Sequence, residues 1–368
     1  MAVVVVVTTT AFGITAPPVS SQPGPTCFGV PATIVVTAAQ TTTFGTAGPD
    51  VIAGTAGADR IDGLGGNDLI CGFAGGDRLL GGLGDDQLDG GAGDDIIRGD
   101  VRADNGDVVG GGNDRLFGGD GDDNLVGDSS TDGGNATGGG NDLIFGGAGD
   151  DGLIGDSVSF AGGDARGGGN DRMNGEDGAD HLNGDSLAFE GSAAGAGDDI
   201  LLGGPGVEYF VIGDSEAAVD ASGSGGDDFI DLGADGGFVA VGDHNILSST
   251  GGQAIGAGND TLLGGREAEI LIGDSAVVDA STTAAGNDTI VGRDGDDILF
   301  GDNSDFDLTV TVGTAGGRDI LDGGAGADVL RAGAGADVLN GGAGGPDDCD
   351  GEAGTDAATG CEAIANAP

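Results

Sequence analysis

The chain has 368 residues, with 63 acidic against 11 basic side chains and a net charge of -52. Glycine contributes 86 residues, aromatics only 4%, and tryptophan is absent. Such a balance excludes nucleic acid and anionic membrane as partners and calls for a hard divalent cation with oxygen ligands. A composition this charged and this poor in large apolar groups normally describes a disordered chain, so the order of the residues has to decide.

The first residues, MAVVVVVTTTAFGITA, are followed by a Pro- and Ser-rich stretch from Pro17 to Pro25. The apolar run is too short to span a bilayer and reads as a signal-like segment, although it lacks a basic n-region. Residues 1–26 are therefore assigned to a signal-like segment and leader. They predict an extracellular location, with a cell surface or matrix as the candidate partner. Residues 27–44 are expected to form an N-terminal cap. The four cysteines fall as two local pairs, Cys27 with Cys71 and Cys349 with Cys361. No zinc-type spacing is present, so disulfides are the better reading in an exported chain, with four free thiols as the alternative.

From Gly45 to Arg98 the chain reads GTAGPDVIA, GTAGADRID, GLGGNDLIC, GFAGGDRLL, GGLGDDQLD, GGAGDDIIR. Position 6 of these nonapeptides holds Asp50, Asp59, Asp68, Asp77, Asp86 and Asp95, and position 8 holds Ile52, Ile61, Ile70, Leu79, Leu88 and Ile97. From Arg98 onwards the unit lengthens. Gly-Asp pairs recur at Asp100, Asp128, Asp156, Asp185, Asp214, Asp243, Asp274 and Asp302. Within these units lie the position-6 residues Asp114, Asp123, Asp142, Asp151, Asp171, Asp180, Asp199, Asp228, Asp260, Asp288 and Asp297. Each unit also carries an insert of about ten residues, read as a loop or one short extra strand, from triplets such as Val158-Ser159-Phe160 and the pair Val277-Val278. Short repeats return at Asp319, Asp328 and Asp337.

The pattern G-G-x-G-x-D-x-U-x, with U a large apolar residue, resembles the RTX, or haemolysin-type calcium-binding, repeat family over residues 45–340. The resemblance implies a right-handed parallel β-roll that binds multiple Ca²⁺ ions. The residue types give the reason. Glycines make the GGxGxD half a tight turn, and the xUx half is a three-residue strand whose position 8 points inward. Two nonapeptides make one coil. Aspartates of successive coils then stack at roughly 4.8 Å, where bare carboxylates repel and a divalent cation reverses the sign. A flexible all-oxygen cage of this kind suits Ca²⁺ better than Mg²⁺. The twenty position-6 aspartates named above are the candidate metal ligands, and folding is expected to follow calcium binding. The Gly-Asp aspartates match no residue of the basic repeat and stay open between ligand and solvated turn.

Residues 45–98 are expected to form short coils, 99–302 longer coils and 303–340 the last coils, about 12 in all. Residues 341–368 read as a disulfide-stapled C-terminal cap, because Asp348 to Glu352 only begins like an EF-hand loop. Glu208, Glu269 and Gly237 break one aspartate column, which predicts weak or lost sites and an irregular coil there. His181 and His244 are both expected on the surface. Neither HExxH nor GxSxG occurs, and no enzyme function is expected. The leading functional expectation is a structural or surface-associated calcium binder. An adhesin or ice-binding roll, and a toxin or enzyme built from the inserts, are the alternatives.

Overall fold

The computed structural model describes residues 24–37, 41–247, 252–277, 284–305 and 307–367. The signal-like residues 1–23 and Val278 lie outside them. Among the described residues there is no helix, and hence none long and apolar enough to cross a membrane.

The strands stack into two 14-stranded parallel sheets that face each other, forming the parallel β-roll expected from the repeat. The first long sheet runs from Ile34–Val35 through Leu69–Ala74, Arg115–Asp120 and Leu143–Ala148 to Ala357–Thr359. The second runs from Thr43–Phe44 through Arg78–Leu80, Asn124–Val126 and Gly152–Ile154 to Ala363–Ala365. Both sheets therefore extend beyond residues 45–340, and the coils exceed the expected 12.

The core is the position-8 column. Ile52, Ile61, Ile70, Leu79, Leu88 and Ile97 are all buried, as are Leu116, Leu125, Ile144 and Leu153. Register is kept along it: Ile70 pairs with Leu88, Leu88 with Leu116, and Leu116 with Ile144. A period-two alternation in a three-residue strand leaves one inward side chain, so one large aliphatic per nonapeptide fills the narrow interior.

The inserts form two further strand columns, where the sequence predicts at most one. An eight-stranded parallel sheet runs from Arg102–Ala103 through Ser130–Thr131 and Val158–Ser159 to Ser304–Asp305. A six-stranded one runs from Val108–Val109 through Ala136–Thr137 to Ala254–Ile255. The eight-stranded sheet covers the outer face of the second long sheet and buries its position-9 residues, and the six-stranded sheet packs on the eight-stranded one through Ala165, Ala193, Ala221 and Ala254. Val126, Ile154, Val158 and Leu187 form one cluster, and Ile212, Val241, Ile272 and Phe300 belong to another. Arg98, at the start of this second core, is buried with them. Its guanidinium donates to Ser130 Oγ, to the carbonyls of Ile97 and Asn124, and to Asn124 Oδ1.

Disulfides join Cys27 to Cys71 and Cys349 to Cys361, and no cysteine is free. The first ties the Thr26–Cys27 strand to the first long sheet, and the second fastens the last coil.

Candidate metal centre

All twenty position-6 aspartates are buried, Asp50 being the most exposed at 8%. Each follows a turn and immediately precedes a strand. That placement makes two carboxylate ladders, one along each edge of the roll. On the edge of the first long sheet the backbone N–H of Asp50 donates to Asp68 Oδ1 at 2.8 Å, Asp68 to Asp86 at 2.7 Å, and Asp86 to Asp114 at 2.7 Å. The series continues through Asp142, Asp171, Asp199, Asp228, Asp260, Asp288, Asp319 and Asp337 to Asp356. On the other edge Asp59, Asp77, Asp95, Asp123, Asp151 and Asp180 are linked in the same way. Asp297 and Asp328 carry that ladder on to Asp347.

One carboxylate oxygen is thus committed to the neighbouring coil. The other, Oδ2, has no hydrogen-bond partner from Asp68 to Asp337 along the aspartates of both ladders, although it is buried. A buried, unpaired carboxylate oxygen carries a large desolvation penalty unless a cation or proton neutralises it. The position-1 glycine keeps that oxygen's surroundings open. A Cβ on Gly63 would strike Asp68 Oδ2 and the Gly81 carbonyl, and one on Gly118 would strike Asp123 Oδ2 and the Gly146 carbonyl. Carboxylate and carbonyl oxygens therefore converge at each turn, with a donor set of hard oxygens that fits Ca²⁺. Asp50 and Asp59 differ. Their Oδ2 atoms accept the N–H of Thr46 and Thr55 at 2.6 Å, leaving the first turns less open to an ion.

The electrostatics agree with the geometry. Burial, opposed by the ladder hydrogen bond, pushes the carboxyls of Asp68 and Asp77 up to about 6 and those of Asp86, Asp95, Asp123 and Asp180 up to about 7. Asp114 rises to about 10, through burial first and then the neighbouring Asp142 carboxylate. Without a counterion these carboxyls take up protons at higher pH than an ordinary aspartate.

Glu208, Glu269 and His244 stand differently from the sequence expectation, whereas Gly237 breaks the ladder as expected. Glu208 keeps its place in the ladder, its Oε2 accepting the N–H of Asp180 at 2.8 Å. The ladder breaks at Gly237, which pairs with Glu208 across the sheet and brings no carboxylate. It resumes at Glu269, whose N–H donates to Asp297 Oδ1 at 3.0 Å. Tyr209 and Phe238 are the extra residues of this irregular stretch and stack with ring centroids 6.0 Å apart.

His244 is fully buried, against the expectation of a surface position. It occupies the place that follows a Gly-Asp pair, where other coils carry Ser129, Ser157, Ser186 and Ser215. Its Nδ1 accepts the Ser215 N–H at 3.2 Å and lies 3.7 Å from Asp214 Oδ2. His181 is partly exposed beside Glu216.

Asp347 and Asp356 extend the two ladders beyond the residues that the sequence singles out. Residues Gly351 to Thr359 (GEAGTDAAT) form a complete nonapeptide with alanine at the apolar position, and that spacing is the signal by which Asp356 can be found. The Gly-Asp aspartates, open between ligand and solvated turn on sequence grounds, are all eight buried.

A family model for the RTX calcium-binding nonapeptide repeat matches residues 44–72, 72–101, 108–133, 136–158, 167–186, 193–210, 256–275, 282–305 and 314–346. No similar sequence was found among curated proteins. The matched segments cover more than half of the chain, and with the stacked turns described above they show that this protein belongs to the RTX calcium-binding repeat family.

Proposed function

We propose that this chain is an extracellular calcium-binding roll with a structural or surface-associated role, whose folding is driven by Ca²⁺ held between successive coils. The observation that carries the reading is the row of buried, unpartnered Oδ2 atoms facing the position-1 glycines along both edges. Asp68, Asp77, Asp86, Asp95, Asp123 and their counterparts in later coils are the proposed ligands, with turn carbonyls completing the oxygen shell. Bound calcium supplies the positive charge that offsets repulsion between stacked carboxylates. Affinities in the extracellular range, roughly 10⁻⁴–10⁻³ M, suit a chain that folds after export. The two disulfides support an oxidising location. The outward rows are chemically mixed. Along the first long sheet Leu69, Gln87, Arg115, Leu143 and Arg172 follow one another, unlike the uniform stripe an ice-binding face requires.

Far-UV circular dichroism during a calcium titration, with a parallel magnesium series, tests this reading. A cooperative gain of β signal between micromolar and millimolar calcium, absent with magnesium, is the expected result. A full β spectrum in excess chelator at about pH 8, where the ladder carboxyls of the short coils are ionised, would rule out calcium-driven folding.

A further inference from the structure

The longer coils are short coils opened at one turn. In the short coil the turn from Gly81 to Asp86 is closed by Gly82, Leu83, Gly84 and Asp85. In the next coil Asn113 N–H donates to Asp85 Oδ1 at 3.2 Å, and Asp114 follows Asp86 in the ladder, so Gly112, Asn113 and Asp114 occupy positions 4, 5 and 6. Gly99 lies over Gly81 at position 1, as the Gly82 N–H donates to the Gly99 carbonyl at 3.0 Å. Position 2 is then Asp100, and residues 101–111 are inserted between positions 2 and 4. The same holds for Asp128, Asp156 and Asp185. Turns on the opposite edge remain tight, and their position 2 is held by residues such as Gly119, Gly147 and Glu176, all with positive φ. None of the Gly-Asp aspartates has positive φ. An insertion at this point carries the backbone off into two extra strands, while the position-1 carbonyl stays beside the position-6 carboxylate: a Cβ on Gly99 would strike both the Gly127 carbonyl and Asp114 Oδ2.

We infer that the Gly-Asp aspartates add carboxylates to the opened turns and, with the position-6 aspartates, form a buried ladder of calcium sites inside the longer coils. Oxygens of Asp100, Asp114 and Asp128 lie within 4.8 Å of one another, as do those of Asp128, Asp142 and Asp156, and those of Asp156, Asp171 and Asp185. Asp128 and Asp156 each belong to two groups, so adjacent sites share a carboxylate. These side chains are all but fully buried, none more than 2% exposed. Neither oxygen of Asp100 has a hydrogen-bond partner, and one oxygen of each of the other six is likewise unpartnered. Three carboxylates per group supply more charge than the tight turn, which offers position-6 oxygens and carbonyls, so these sites bind more tightly. The far end of the Gly-Asp column is closed by protein donors: Asn303 donates to Asp274, and the Gly317 and Ala334 N–H groups donate to Asp302. The shared carboxylates make occupation of one site favour its neighbour, because the first ion fixes a ligand of the second.

This inference rests on the calcium reading above, and the test separates the two. In the full chain, Asp128→Asn and Asp156→Asn are compared with wild type and with the exposed control Glu190→Gln. Bound calcium is counted at saturation by equilibrium dialysis, and the calcium midpoint is followed by circular dichroism. The expected result is a loss of about one or two ions and a midpoint raised roughly tenfold in either variant, with the control unchanged. Wild-type counts and midpoint in both variants would overturn the inference while leaving calcium binding intact. A wild-type chain that binds no calcium would overturn the reading on which it rests. Should the central variants stay unfolded at saturating calcium, Asp100→Asn, which belongs to one group only, tests the ladder at its end: a lowered ion count supports the inference and an unchanged one overturns it.

Discussion

The coils before Arg98 and those from Gly99 to Asp302 share one cross-section and differ at one turn. In the first region successive ladder residues are 18 apart in sequence, and in the second 28 to 32 apart, yet the ladder bond stays close to 2.7 Å in both. The added residues leave the repeat's geometry intact and convert an outer face into a second core. Position 9 shows the change: Leu80 in a short coil is half-buried, whereas Ile212 in a long coil is fully buried. The difference teaches that a solenoid turn tolerates insertion when the inserted residues stack on their own counterparts in the next coil.

The largest expected effect is on the response to calcium. Hydrogen exchange across a calcium titration should show peptides from 114–200 becoming protected at roughly tenfold lower calcium than those from 60–98. Simultaneous protection of both regions would mean that the Gly-Asp aspartates add nothing to affinity and that the coils close as a single unit.

Acid sharpens the same comparison. The folded, metal-free carboxyls are raised: Asp86 and Asp95 to about 7, Asp114 to about 10. A group with a folded pKa above its unfolded value of about 3.9 contributes stability below the unfolded value and loses it as pH rises through the folded one. In chelator, β structure is therefore expected near pH 4 and should disappear as pH passes 7, with the inserted edge of the long coils, where Asp114 is raised furthest, losing the most stability over the rise. Calcium added near pH 6 should release protons, measurable in weakly buffered solution. β signal in chelator that grows as pH rises from 4 to 8 would contradict this sign.

The smallest effect concerns packing. Ile212→Ala, in the second core, should cost about 2–5 kcal/mol in calcium-saturated denaturant unfolding, and Leu80→Ala, at the equivalent half-buried place, less than about 1 kcal/mol. Equal costs would show that the inserts cover the second long sheet without stabilising it.

Much of this molecule is written in local spacing. A glycine at position 1, an aspartate at position 6 and a large aliphatic at position 8 define the coil, the two ladders and the primary core, because each of those roles is set within nine residues. The recurring Gly-Asp pairs also mark where the unit lengthens. The strands of the inserts are illegible in the sequence for a physical reason. Pairs such as Ser130–Thr131 and Ala136–Thr137 are too short and too small to signal a strand, and they hold only by pairing with residues 28 or 29 positions away. Burial of His244 follows from the same second layer, which no local pattern announces. Asp356 is legible from spacing alone, but alanine stands where a large aliphatic would mark its repeat. The proximity of Asp100, Asp128 and Asp156 to the position-6 aspartates was decided only by tertiary structure: partners 14 or 15 residues apart, in the same coil or the next, meet only when the insert folds back and successive coils stack.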